Sequence, residues 1–190
     1  MWKHRNRIAE STRIKSFCAL VESVLLFNCG TWALTCSLAD KLDRGHRKML
    51  RCVLGINWSD RVTNIDLYAR CKVLPASIQS LSARWRLFGH TLRMKEDTPA
   101  RLAMAYYFVQ DHKGRQGNYM TIAFKLSSEL KVLTGDVMSS RRDLDLLAEV
   151  AHHRDLWKDL VNEITCKQYE LWYEKELKKA EARTAAKLKL

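Results

Sequence analysis

The residues that could do chemistry in this chain are six histidines, six cysteines and scattered carboxylates, and their spacing does not build a catalytic centre. A structural zinc site needs closely spaced ligand pairs, whereas Cys29 and Cys36 are seven residues apart. Phosphate-loop glycines and a paired-aspartate motif for two magnesium ions are absent from the sequence. We therefore expect no metal, no cofactor, no catalytic residue and no nucleotide polymerisation.

Binding through cations is the chemistry that remains. The chain has 33 lysines and arginines against 21 acidic residues, for a formal net charge of +12. This balance favours a polyanionic partner, with nucleic acid ahead of an anionic membrane surface. We expect nucleic acid and no membrane.

The first group of cations lies on a helix predicted from Ser37 to Leu54, with Gly55 ending it. Its apolar face is predicted to contain Leu38, Leu42, Met49 and Val53, opposite Arg44, Arg47, Lys48 and Arg51. No acid interrupts these four cations in this interpretation. We predict that they contact phosphates, with a merely solvated face as the alternative.

The second group lies on a helix that follows Pro75. Its apolar arc is predicted to contain Ile78, Leu81, Trp85, Phe88 and Leu92, and a separate arc Gln79, Arg86, His90 and Arg93. We predict nucleic-acid contacts for Arg86, His90 and Arg93. A partly buried His90 that bonds a carbonyl or phosphate fits better than a catalytic base. Gly89 would permit close approach of a neighbour.

Exposed aromatic side chains can stack on bases, but aromatics at helical spacing usually belong to the core. We therefore assign the tryptophans Trp32, Trp58 and Trp85, together with Phe88, to the scaffold. Asp60, Arg61 and Thr63 are predicted to set the turn that orients the two basic helices.

The other predicted elements are also helical. They are a first helix capped by Ser11 or Thr12 and stopped by Asn28 and Gly30, a short helix opening at Thr63–Asp66, helices over 99–108 and 121–133, a seventh over 144–161, and a tail from Cys166. Residues 111–118 form a polar loop. The fold class is all-α, an irregular bundle of about seven helices, with a domain over 1–165 and an extended, basic C-terminal helix over 166–190.

The cysteines lack any CxxC pair, which favours reduced thiols packed mostly as small apolar residues, in the nucleus or cytoplasm. A signal peptide around the apolar run 17–27 is the alternative, but Glu22 interrupts that run.

Four segments, in this order, resemble the region after the palm in reverse transcriptases of non-LTR (LINE-type) retrotransposons. They are Ser-Val-Leu-Leu-Phe-Asn-Cys-Gly-Thr-Trp at 23–32, Arg-Lys-Met-Leu-Arg at 47–51, Trp-Ser-Asp-Arg-Val-Thr-Asn-Ile-Asp at 58–66 and Ala-Arg-Trp-Arg-Leu-Phe-Gly-His-Thr-Leu-Arg-Met at 83–94. A later basic loop of the family is only faintly echoed by Gly114–Gly117 and Tyr119.

The resemblance implies a thumb and helical linker that grip template-primer or element RNA, with RNA or an RNA–DNA hybrid preferred over duplex DNA. The family's endonuclease and palm are not represented, so the chain is expected to be a non-catalytic fragment whose protein partner would be the palm. A protein-interaction or structural module, or a remnant without function, remain the alternatives.

Overall fold

The structure, a computed structural model, describes residues 8–109, 122–135 and 140–188. Within these ranges the chain forms helices and contains no β-strand, which confirms the all-α prediction. The polar loop predicted at 111–118, including its family-like glycines, lies outside the described residues.

Eight helices are described. They are α1 (Glu10–Phe17, prolonged by a π-helical turn Cys18–Glu22 and by Ser23–Leu25), α2 (Cys36–Leu54), α3 (Asn64–Cys71), α4 (Ala76–Leu92), α5 (Pro99–Val109), α6 (Ile122–Thr134), α7 (Arg141–His152) and α8 (Arg154–Leu188). None of them is long and apolar enough to cross a membrane.

Most helix ends lie at the residues that the sequence indicates. Asn28, Gly55 and Gly135 have φ values of 52°, 75° and 81°, the left-handed conformation that ends a helix. Thr63 caps α3 by accepting a hydrogen bond from the Asp66 amide. The predicted cap of the first helix is wrong, because Ala9 occupies that position without a side-chain hydrogen bond.

The predicted seventh helix is two helices, with the break at His153. Ala151 and Trp157 are both buried in the same apolar cluster, although in a continuous helix residues six positions apart would point about 120° away from each other. The break restores a common face. Helix α8 then runs without interruption past residue 166, where the sequence placed a domain boundary.

The described residues form two compact units. Unit 1 comprises those within 1–27, 36–79 and 169–190, and unit 2 those within 28–35 and 80–168. The predicted division at residue 165 stays a prediction.

The core of unit 2 is mainly apolar and aromatic. Trp85, Phe88 and Trp157 are mutually in ring contact, with centroids 5.8 to 6.0 Å apart, and Phe108 stacks on Phe88. Trp85 and Phe88 are almost fully buried, which confirms their scaffold role.

The core of unit 1 combines apolar and polar groups. Phe17, Leu50, Leu67 and Tyr68 are buried there, with Trp172 packed edge-on against Tyr68. The predicted apolar face of α2 is partly wrong. Leu38 is exposed, while the polar residues Asp43 and His46 lie on the buried face beside Leu50 and Val53.

Candidate nucleic-acid interface

The four predicted cations of α2 are not equally accessible. Arg44 and Lys48 are exposed and one helical turn apart, whereas Arg47 and Arg51 are half-buried. Lys41, one helical turn before Arg44, is also exposed. Spacing of three and four residues places Lys41, Arg44 and Lys48 along one side of the helix. These three residues form the exposed basic face of α2.

Arg51 is engaged inside unit 1. Its Nη2 donates to the Asn64 side-chain oxygen at 2.9 Å and to the Val62 carbonyl at 3.3 Å. Asn64 in turn donates to a Glu176 oxygen at 2.5 Å. Burial lowers the pKa of Arg51 from its ordinary value. The residue therefore joins α2 to the turn before α3, which is a structural use of a side chain that the sequence assigns to phosphate.

Acidic residues also approach this part of α2, contrary to the uninterrupted basic arc of the sequence interpretation. Asp40 accepts a hydrogen bond from Lys175 at 3.0 Å, and this bond lowers the pKa of Asp40. Glu176 is buried and pairs with Lys179 at 2.8 Å. Burial would raise the pKa of Glu176, but hydrogen bonds from Lys179 and Asn64 outweigh burial and lower it. The charge of Arg47 is a smaller contribution to the lowered pKa of both carboxyl groups, so acidic side chains lie near this end of the basic arc.

The predicted contacts on α4 divide in the same way. Arg86 and His90 are exposed, four residues apart on one face. Exposure of His90 corrects its expected partial burial. Arg93 is half-buried, and its Nη1 donates to the Ala151 carbonyl at 3.1 Å. Arg93 therefore satisfies a carbonyl near the end of α7, where the last four carbonyls of a helix lack intrahelical partners.

The glycine of α4 has the role predicted for it. A Cβ added to Gly89 would lie 2.1 Å from Nε1 of Trp157. That indole nitrogen donates to the Trp85 carbonyl at 3.2 Å. The absence of a side chain at Gly89 therefore lets Trp157 reach the backbone of α4 and complete the aromatic cluster.

Arg84 was not singled out from the sequence, although it lies within the family-like segment. Its side chain is buried, pairs with Glu129 and donates to the Trp32 carbonyl at 3.0 Å. Trp85 Nε1 donates to the other Glu129 oxygen at 3.0 Å. Burial raises the pKa of Glu129, and the charge of Arg84 opposes this. The sequence could have indicated that Arg84 is buried, because Arg84 lies next to the apolar arc of α4.

A second buried polar cluster, in unit 1, was also missed. His46 Nε2 lies 2.9 Å from Glu22 Oε1, and His46 Nδ1 lies 3.3 Å from the Tyr68 hydroxyl. Gln79 donates to the same Glu22 oxygen at 2.6 Å. Asp43 accepts bonds from the Ser77 amide and hydroxyl, both at 2.8 Å. Because these side chains are mostly buried and contact one another, we interpret them as a network that stabilises unit 1.

Asp60 and Arg61 form part of the turn before α3, as predicted, but Trp58 differs from its prediction. Asn57 and Asp60 form a capping box, and Arg61 adopts a left-handed φ of 48°. Trp58 contradicts its assignment to the scaffold, because 94% of it is exposed. A helix-initiating turn has no apolar periodicity, so its sequence does not reveal which way an indole points.

The cysteines are more exposed than expected. Cys29 and Cys71 are buried and Cys18 is half-buried, but Cys36, Cys52 and Cys166 are exposed, and all six are free thiols. Among the described residues no group of three or more His, Cys, Asp or Glu side chains could hold a metal ion.

Comparisons with protein-family models, curated proteins and solved structures found no match. The assignment of function therefore depends on the residues themselves and on the resemblance of the four segments. Arg44, Lys48, Arg86 and His90 are the predicted contact residues whose exposed side chains could reach a phosphate.

Proposed function

We propose that this chain binds a nucleic-acid backbone without catalysis, as would the thumb and linker of the non-LTR reverse transcriptases that its sequence resembles. The observation that supports the proposal most directly is the exposed basic face of α2. Lys41, Arg44 and Lys48 are exposed there. Exposed lysine and arginine side chains can neutralise phosphates and release counterions. RNA or an RNA–DNA hybrid is the proposed ligand.

Salt-dependent binding tests this proposal. The purified chain is titrated with RNA, duplex DNA and an RNA–DNA hybrid of equal length, between about 50 and 200 mM salt. The variant Arg44→Glu/Lys48→Glu should bind more weakly and show a smaller salt slope, by roughly 0.7 to 0.9 for each phosphate that is no longer neutralised. Arg86→Glu/His90→Ala tests the basic group of α4 separately.

A charge-matched control separates a basic face from bulk charge. Lys131 and Lys158 are exposed on other helices, so Lys131→Glu/Lys158→Glu makes the same change in net charge. The proposed interface requires a reduction in affinity by the α2 variant that clearly exceeds the reduction by this control. Equal reductions would mean that only the net charge of +12 attracts the polyanion.

A protein-interaction module is the second candidate, and a particular surface favours it. Leu20, Val24 and Phe27 are 56%, 75% and 78% exposed on consecutive turns at the end of the α1 region. Apolar residues so grouped are typical of contact surfaces. Concentration-dependent association that is abolished by Val24→Lys/Phe27→Lys, with no binding of nucleic acid, would favour this candidate over the first.

A further inference from the structure

Trp58 has a larger exposed fraction than any other large hydrophobic residue in the described part of the chain. At 94% exposure its indole makes almost no contact with the rest of the protein. By contrast, Trp85 and Trp157 are buried in the core of unit 2. The side chain of Trp58 therefore contributes little to folding, and both faces of the ring are open to solvent.

The backbone beneath this indole is held in place. The Asn57 amide donates to an Asp60 carboxylate oxygen at 2.7 Å, and the Asp60 amide donates to the Asn57 carbonyl at 3.2 Å. On the far side of the turn, Arg51 donates to the Val62 carbonyl at 3.3 Å. A partner that covers the indole would thus pay little for ordering this turn, because its backbone is already fixed.

The surroundings of Trp58 determine which partner fits. Its neighbours in the turn are polar, and the adjoining cation is the exposed Arg61. The acidic Asp60 is engaged in the capping box. A flat aromatic ring near an exposed cation matches a nucleobase with an adjacent phosphate. A bilayer would favour apolar neighbours around the indole, which Asn57, Ser59 and Asp60 do not provide.

We propose that Trp58 is a stacking platform for an unpaired base of single-stranded RNA or DNA. The proposal rests on the proposed function, because the cations supply the attraction to phosphate. It adds a distinction that phosphate contacts alone do not make. Bases within a duplex are already stacked on each other, so only unpaired bases should gain from Trp58.

The test compares Trp58→Ala with the unaltered chain on three probes of equal length: a single-stranded oligonucleotide, a duplex, and a single strand with abasic sites throughout. Trp58→Ala should weaken binding to the intact single strand by about 5-fold to 100-fold, the range for loss of one stacked base, and leave the other two unchanged. Trp58→Phe should retain part of the affinity. Unchanged thermal unfolding should accompany both variants.

The outcomes separate the two proposals. If the unaltered chain binds all three probes and Trp58→Ala changes none, or changes all equally, the stacking proposal is overturned and phosphate binding stands. If the unaltered chain binds none of them, the proposed function itself fails. Binding to anionic vesicles that disappears in Trp58→Ala, with the single strand unaffected, would assign Trp58 to a membrane surface and overturn stacking.

Discussion

The two units solve the problem of buried polar groups differently. Unit 2 buries the ion pair of Arg84 with Glu129, and Glu129 also accepts a hydrogen bond from Trp85 of the aromatic cluster. Unit 1 has a smaller apolar cluster, and its buried ionisable side chains include Glu22, Asp43 and His46. Among the described residues, unit 2 therefore has the larger apolar cluster and unit 1 has more buried ionisable side chains.

This difference extends to the predicted interface. In unit 1 the half-buried cation Arg51 belongs to a polar network that reaches Glu176 through Asn64. In unit 2 the half-buried Arg93 satisfies a single backbone carbonyl. Removing Arg51 should therefore perturb several partners, whereas removing Arg93 leaves one backbone carbonyl without its donor.

The largest expected effect concerns the ion pair of unit 2. Arg84→Ala leaves the Glu129 carboxylate buried without its cation, which should cost about 3–5 kcal/mol of unfolding free energy. Arg84→Met/Glu129→Leu should recover part of this loss, because buried pairs are often replaceable by apolar residues of similar volume, but Trp85 Nε1 and the Trp32 carbonyl lose their partners. Chemical denaturation monitored by tryptophan fluorescence measures both variants.

Arg86→Ala is the control for that experiment, since Arg86 is exposed on the same helix. It should change the unfolding free energy by less than about 0.5 kcal/mol. A similarly small loss for Arg84→Ala would contradict the view that unit 2 depends on a satisfied buried charge.

The next effect tests ring packing directly. Gly89→Ala would place a methyl group 2.1 Å from the Trp157 indole nitrogen. Displacing that ring should destabilise the protein by about 1–3 kcal/mol, as other overpacked cores are. The matched change Gly45→Ala, on α2 where a Cβ meets nothing within 4 Å, should stabilise by about 0.5–1 kcal/mol. Thermal unfolding of the pair provides the measurement, and the same sign for both would contradict the close approach at Gly89.

Sequence periodicity was sufficient for much of the fold. The ends of α2 and α6, the cap of α3 and the close approach at Gly89 all follow from local rules about glycine, caps and helical faces. The break at His153 was also encoded, because the apolar positions before and after it do not share one helical face. It was missed because residues on both sides were assigned to a single continuous helix.

The candidate site was less predictable. Charge and spacing place Arg44, Arg47, Lys48 and Arg51 on neighbouring positions of one helix, but cannot tell that Arg51 is bonded to Asn64, which lies 13 positions along the chain. The direction of the Trp58 indole likewise depends on how one turn is capped. The Arg51–Asn64 bond depends on a tertiary contact and the direction of Trp58 on turn geometry. A periodic sequence pattern predicts neither of them.

The smallest predicted effect concerns acid and the network of unit 1. Burial alone would raise the pKa of Glu22, but the His46 contact and hydrogen bonds from Gln79 and Cys18 outweigh burial and hold that pKa below its ordinary value of 4.5. Its stabilising contribution is therefore complete above about pH 4.5 and is lost as the pH falls through the lower folded pKa. Burial raises the pKa of Glu129 in unit 2 and of Asp43 in unit 1, so protonation of these two carboxyl groups does not weaken either unit.

We accordingly expect acid to disturb unit 1 first. The indole resonance of Trp172 should lose its native position at a higher pH than those of Trp85 and Trp157, because Trp172 packs on the core of unit 1. Glu22→Gln should cost about 1 kcal/mol at neutral pH and flatten the dependence of stability on pH below 4.5. Simultaneous loss of all three resonances, unchanged by Glu22→Gln, would mean that the two units unfold as one and that Glu22 is not the group through which acid acts.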